Sequence, residues 1–268
     1  MNTITILPAV DADEMQRYVV AKSNQFIVHS RYDLSVMEQR ILACMISMID
    51  SRGDELMDCE LDIDTFCELC KIEKRGSSKY LKDVTKGLRD QSFWMETEEG
   101  VFETFSWVDK IKIDEKRGII TLRFSNDMKP YLLNLQSDFT TYKLPMVLRF
   151  SSRYTNIVFD LIYSRYGQTN KASGSLSITV DEMRKRVQVK KDKKTDQVVN
   201  KNITFKDLRV RILEPTIEEI NKFTDIMVEV KYIKKGRKVD TIQFDYRRKN
   251  RNELEKVPPF SENRIEKI

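Results

Sequence analysis

An α+β fold built from one unit used twice is what this sequence of 268 residues predicts, and three observations carry it. Amphipathic stretches with apolar residues three and four apart alternate with short stretches of period two. The order helix, strand, helix, helix, hairpin occurs once before about Ser125 and again after it. Finally, basic residues concentrate on the last helix of each unit and on the turn of the hairpin that follows.

The opening "RYVVAKSNQFIVHS" reads as turns or strands. "DLSVMEQRILACMISMID" is a helix with Leu34, Met37, Ile41, Cys44, Met45 and Met48 on one side. Asp33 or Ser35 serves as its N-cap, and Glu38 stands three residues after Ser35 as a capping box requires. "CELDI" alternates as a short strand and "DTFCELCKI" is a short helix. "SSKYLKDVTKGLRDQ" is the next helix, capped by Ser77 or Ser78. "FWMETEEGVFETFSWV" and "IKIDEKRGIITLRF" alternate around Glu-Glu-Gly and Lys-Arg-Gly turns as hairpins. Phe93, Trp94, Phe102, Phe105 and Trp107 fall at strand spacing and read as core.

Past two short connecting helices, "NDMKPYLLNL" and "KLPMVLRF", the order begins again. "SSRYTNIVFDLIYSRYG" is a helix with Ile157, Leu161 and Ile162 inward. "SGSLSITV" is a strand, "DEMRKRV" a short helix, and a lysine-rich loop precedes "NITFKDLRVRILEPTIEEINKF" and a hairpin with the tip Lys-Lys-Gly-Arg-Lys. Leu81, Val84 and Leu88 have the same spacing as Phe205, Leu208 and Ile212. Pro215 lies within the helical run, where its missing N–H predicts a kink or an end.

Helix, strand, helix, helix and two-stranded wing is the order of a winged helix. In such units the last helix enters the major groove and the hairpin reaches the adjoining backbone. Net charge is only +5, yet eleven Lys and Arg against three Asp lie between Arg184 and Arg211. A basic cluster on a near-neutral body points to a polyanion, with double-stranded DNA the first candidate. The candidate contacts in the first unit are Ser77, Ser78, Lys79, Lys82, Lys86 and Arg89, with Lys116 and Arg117 at a wing tip. In the second they are Lys201, Asn202, Thr204, Lys206, Arg209 and Arg211, with Lys234, Lys235, Arg237 and Lys238 on the wing.

Enzymatic alternatives lack their parts. A nicking initiator of the rolling-circle type needs paired histidines to hold a metal, and His29 is the single histidine. A tyrosine recombinase wants a histidine among downstream arginines, and His29 precedes every plausible partner. No Gly-x-x-x-x-Gly-Lys-[Ser/Thr] loop is present to bind ATP. Cys67 and Cys70 form a C-x-x-C without a second pair, so no metal, cofactor or catalytic residue is expected. Exposed aromatic runs that would stack single-stranded bases are missing. The longest apolar run, "ILACMISMI", is too short to span a bilayer, and no secretory signal is visible. With four cysteines in so long a chain, a reduced, cytoplasmic protein is expected.

The N-terminal "VVAKSNQFIVHSRYDLSVMEQRIL" and the C-terminal "FKDLRVRILEPTIEEINKFTDIMVEVKYIKKGRKVDTIQFDY" resemble the plasmid replication initiators of the iteron-binding type, the Rep_3 family. The resemblance covers roughly 18–246. It implies two tandem winged-helix domains related by pseudo-twofold symmetry, the C-terminal one carrying the main base contacts at Lys206, Arg209 and Arg211. It also implies binding of directly repeated origin sites as a monomer, recruitment of the host initiator and helicase, and repression at an operator as a homodimer joined through the N-terminal unit. The expected division is a flexible arm over 1–17, domains over 18–136 and 137–246, and a charged, disordered tail over 247–268. A dedicated transcriptional repressor with two winged helices would need the same surface and is the alternative.

Overall fold

The computed structural model describes residues 10–168, 172–187 and 203–260. Its chain divides into two compact units, one of residues 10–30, 34–149 and 259–260, the other of 31–33 and 150–258.

In the first unit Asp11 caps a short helix, α1 (Ala12–Met15), inside the arm expected to be flexible. β1 (Val19–Ser23) follows. The stretch read as turns or strands then turns helical, because the Ser23 hydroxyl accepts the Phe26 N–H and caps α2 (Asn24–His29). After β2 (Ser30–Arg31), α3 (Val36–Ser47) starts on the capping box formed by Ser35 and Glu38. β3 (Cys59–Asp62), α4 (Ile63–Cys70) and α5 (Ser77–Asp90) come next. Two hairpins follow: β4 (Ser92–Glu98) with β5 (Val101–Ser106), and β6 (Val108–Asp114) with β7 (Ile119–Phe124). β7 is sandwiched between β3 and β6, so the second hairpin is the wing of a β3–β7–β6 sheet. The β4–β5 hairpin is inserted between helix and wing.

α6 (Lys129–Leu132), β8 (Phe139–Lys143) and α7 (Leu144–Leu148) complete this unit. It runs past the expected break after residue 136, because β8 pairs antiparallel with β1 from Val19↔Lys143 to Ser23↔Phe139.

The second unit repeats the order without the inserted hairpin: α8 (Arg153–Gln168), β9 (Ser173–Thr179), α9 (Val180–Val187), α10 (Phe205–Leu208), α11 (Glu214–Phe223), β10 (Ile226–Lys235) and β11 (Lys238–Arg248). Its sheet has the order β10–β11–β9. Gly174 on β9 faces Tyr246 on β11 so closely that a Cβ would sit 2.6 Å from the tyrosine oxygen, so a larger residue there would force the Tyr246 ring to move. Val158, Phe159, Ile162, Leu208, Ile212, Leu213, Ile220, Val228, Ile242 and Phe244 are buried in this unit.

Two further expectations are corrected. The tail is ordered at its start: β11 runs to Arg248, and Asn250 with Glu253 forms a capping box on α12 (Arg251–Glu255). Arg247 clamps Glu253 through two bonds of 2.8 and 2.7 Å, which with the cap pulls the Glu253 carboxyl down to about 2. Among the aromatics read as core, Phe93 and Trp107 are buried, whereas Trp94 is 51% and Phe102 54% exposed. Both faces of the β4–β5 hairpin carry aromatics, and only one face is covered.

Candidate nucleic-acid interface

In the first unit the helix that bears the cations begins without a side-chain cap. Gly76, at φ 83°, makes the left-handed turn into α5. Ser77 is buried and donates its hydroxyl to the Lys74 carbonyl at 2.7 Å, so it builds the turn and leaves the exposed surface to others. Leu81, Thr85 and Leu88 point inward; burying each leucine contributes about 2 kcal/mol. Lys79, Lys82, Lys86 and Arg89, three or four residues apart, line the opposite, exposed side, with Ser78 half-buried beside them. The wing turn joining Asp114 to Ile119 carries Glu115, Lys116 and Arg117, and Gly118 at φ 66° closes it. Lys82 reaches Glu115 at 3.1 Å, tying helix to wing.

In the second unit Thr204 caps α10 by accepting the Asp207 N–H at 3.1 Å. The helix does not end at Pro215. A π turn over Arg209–Leu213 connects α10 to α11, with the Glu214 N–H donated to the Arg209 carbonyl five residues back. Proline offers no N–H to the Arg211 carbonyl and crowds it in a regular helix, and widening the preceding turn resolves both problems. Leu208, Ile212, Leu213, Thr216 and Ile220 make the buried side. On the exposed side stand Lys206, Val210 and Arg211, with Arg209 half-buried. Arg209 pairs with Glu214 and Arg211 with Asp207, each at 3.2 Å.

Helix and wing are joined here by part-buried and buried bonds. Asn221 accepts the Val228 N–H at 2.7 Å and donates to the Val228 carbonyl at 2.9 Å. The buried Lys249 ammonium donates to the Asn221 and Thr224 carbonyls at 2.5 and 2.7 Å, a cation at the helix C-terminus where the backbone dipole favours one. Glu219 accepts from the Ser151 N–H at 2.8 Å and the Thr155 hydroxyl at 2.5 Å, anchoring the start of α8. The Glu-Ile-Asn and Thr-Asp residues of the C-terminal signature are therefore holding elements. Asp225 accepts the Tyr163 hydroxyl at 3.2 Å, and burial raises its carboxyl above the ordinary carboxylate value.

The second wing is longer. Lys235 pairs with Lys238 across a two-residue turn in which Gly236, at φ 66°, occupies the first position, as a type II′ turn demands. Lys234, Lys235, Arg237 and Lys238 are all exposed there. The structure thus places every cation expected in the described residues on an exposed or half-exposed helix side or wing tip. Lys201, Asn202 and the lysine-rich loop lie outside the described residues.

Sequence reasoning missed the two acids that partner Arg209 and Arg211, although Asp207 and Arg211 stand at the legible i, i+4 spacing. It also missed Val210, exposed at 43% in the middle of the helix. Cys67 and Cys70 are buried in α4, and burial raises the Cys67 thiol; Cys59 is pushed up to about 12 by the same cause. Among the described residues no cluster of three or more His, Cys, Asp and Glu is set to hold a metal, and no helix is long and apolar enough to cross a membrane.

Residues 19–163 match a family described as "Initiator Replication protein, WH1", and residues 179–246 one described as "Initiator Rep protein, WH2". A replication initiation protein of Escherichia coli is 23% identical over 236 residues, covering 86% of this chain and 70% of that protein. The PI protein of Escherichia coli is 27% identical over 144 residues, 52% of this chain and 47% of the relative, so that alignment spans about half of each. The crystal structure of the Pi initiator protein in complex with iteron DNA superposes with a TM-score of 0.71 at 21% identity, covering 87% of this chain and 98% of that one. The repeated helix-and-wing order and the two family matches lead to one conclusion: this chain belongs to the Rep_3 family of replication initiators, most of its WH1 match falling in the first unit and all of its WH2 match in the second.

Proposed function

We propose that this chain initiates plasmid replication by binding directly repeated sites in double-stranded DNA, WH2 reading bases and WH1 holding the backbone. The observation that carries this is the doubled arrangement: in each unit an exposed cationic helix stands before a cationic wing tip, Lys79, Lys86 and Arg89 with Lys116 and Arg117, and Lys206 and Arg211 with Lys235 and Arg237. Two such pairs suit successive stretches of one duplex, helix toward the groove and wing toward phosphate. The bound DNA in the structure of the Pi initiator supports this use of the fold.

Dimerisation belongs to WH1 in this proposal. β5 pairs with β4 alone among the described residues, and the exposed Val101, Phe102 and Trp94 give that hairpin an apolar outer surface. A free edge beside exposed aromatics suits antiparallel addition of the same hairpin from a second copy. The monomer binds repeated origin sites and brings the host initiator and helicase to them in the cytoplasm, and the dimer represses at an operator.

Footprinting of the purified protein on the replicon that encodes it tests this. Protection of several direct repeats spaced by whole helical turns is expected. Protection of one inverted repeat over the promoter alone would assign a dedicated repressor instead, and no protection at moderate salt would overturn the proposal.

A further inference from the structure

Val210 is an apolar side chain left partly exposed on the second unit's cation-bearing helix. The buried side of the recognition segment is made by Leu208, Ile212, Leu213, Thr216 and Ile220, while Val210 is 43% exposed. It shares its side of the helix with the exposed Lys206, four residues earlier. Its neighbours Arg209 and Arg211 are paired with Glu214 and Asp207 at 3.2 Å, which leaves an uncharged, branched side chain between two arginines held toward carboxylates. The π turn over Arg209–Leu213 carries this residue.

In the major groove the thymine C5-methyl is the apolar group that an unmodified base pair presents. Against any other base edge, a valine would strip water from donors and acceptors and return no hydrogen bond. We infer that Val210 is a specificity-determining residue that packs on the C5-methyl of one thymine in each recognised repeat. The inference rests on the DNA reading proposed above and adds a base and an atom to it.

Uracil in place of thymine removes that methyl and nothing else. Duplexes carrying the footprinted repeat, with each thymine in turn replaced by uracil, are titrated with the full chain and with Val210→Ala, and binding is followed by fluorescence anisotropy. The wild-type chain should lose about fourfold in affinity at one thymine, the value of one buried methyl-sized group. Val210→Ala should bind the unmodified repeat more weakly by a similar factor and be indifferent to uracil at that same position. Its thermal unfolding should match the wild type, since an exposed valine is replaced by a better helix former. Equal losses for both proteins at every thymine would overturn the role of Val210 while leaving the DNA reading intact. Absence of any protected repeat would remove both.

Discussion

The two helix-and-wing surfaces of this chain are built from the same order of elements and differ in how their charges are held. On α5 the exposed cations Lys79, Lys86 and Arg89 form a regular row, and among the described residues only Lys82 within it is ion-paired, to the wing's Glu115 at 3.1 Å. On the second recognition segment Arg209 and Arg211 are each matched to a carboxylate, and an apolar residue stands between them. A row of long flexible cations fits the regular repeat of phosphates, which carries no sequence information. Arginines beside an apolar residue on the outward side of a helix suit base edges, which arginine reads through paired hydrogen bonds. The difference argues for a division of labour, WH1 supplying affinity and WH2 supplying choice.

The largest effect should come from breaking the row. Replacing Lys79, Lys86 and Arg89 together by alanine should lower affinity for specific and random DNA alike. The salt slope should fall by about one for each phosphate no longer neutralised, read from binding isotherms between low and moderate salt. Arg209→Ala should cost about 1–3 kcal/mol on the proper repeat and little on random sequence, measured by competition. Lys235→Ala, on the wing of the same domain, should instead weaken every sequence equally.

The ties between helix and wing sharpen the contrast in stability. Asn221→Ala removes two bonds to Val228 and should cost the WH2 unit about 1–3 kcal/mol, seen as a lower urea midpoint for its transition. Lys82→Ala breaks only the exposed pair with Glu115 and should change WH1 stability by no more than ~1 kcal/mol. The smallest effect concerns Glu253. Its folded carboxyl titrates near 2, below the value of about 4.3 for an unfolded glutamate, so its contribution is complete above the unfolded value and fades as pH falls through about 2. Carboxyl chemical shifts followed by NMR should show the Arg247 clamp intact at about pH 3.5, and a midpoint near 4.3 would mean that the clamp does not form.

Much of this was legible because period and capping coincide. Ser35 with Glu38 marked a helix start, and the alternation around Lys-Arg-Gly and Lys-Lys-Gly-Arg-Lys marked both wings. What escaped has physical causes. Alternation reports that a strand has two faces, not which face is covered, so Trp94 and Phe102 read like Phe93. A proline in a helix signals a broken bond, but not that the turn before it widens to absorb the loss, as at Arg209–Leu213. Serines before a helix read as caps, whereas a left-handed Gly76 makes the turn and Ser77 is buried. The break after residue 136 missed the pairing of β8 with β1, which joins segments far apart in sequence that no local pattern connects. Charge and the Pro258-Pro259 pair make the tail look disordered, although Asn250 and Glu253 carry the spacing of a capping box.

The division between the two domains is tested most directly by one ratio, affinity for the footprinted repeat divided by affinity for random duplex at fixed salt, measured for Arg209→Ala and for Lys86→Ala. The account predicts that Arg209→Ala collapses the ratio while Lys86→Ala lowers both affinities and leaves it unchanged. A ratio that falls equally for both variants, or only for Lys86→Ala, would contradict it.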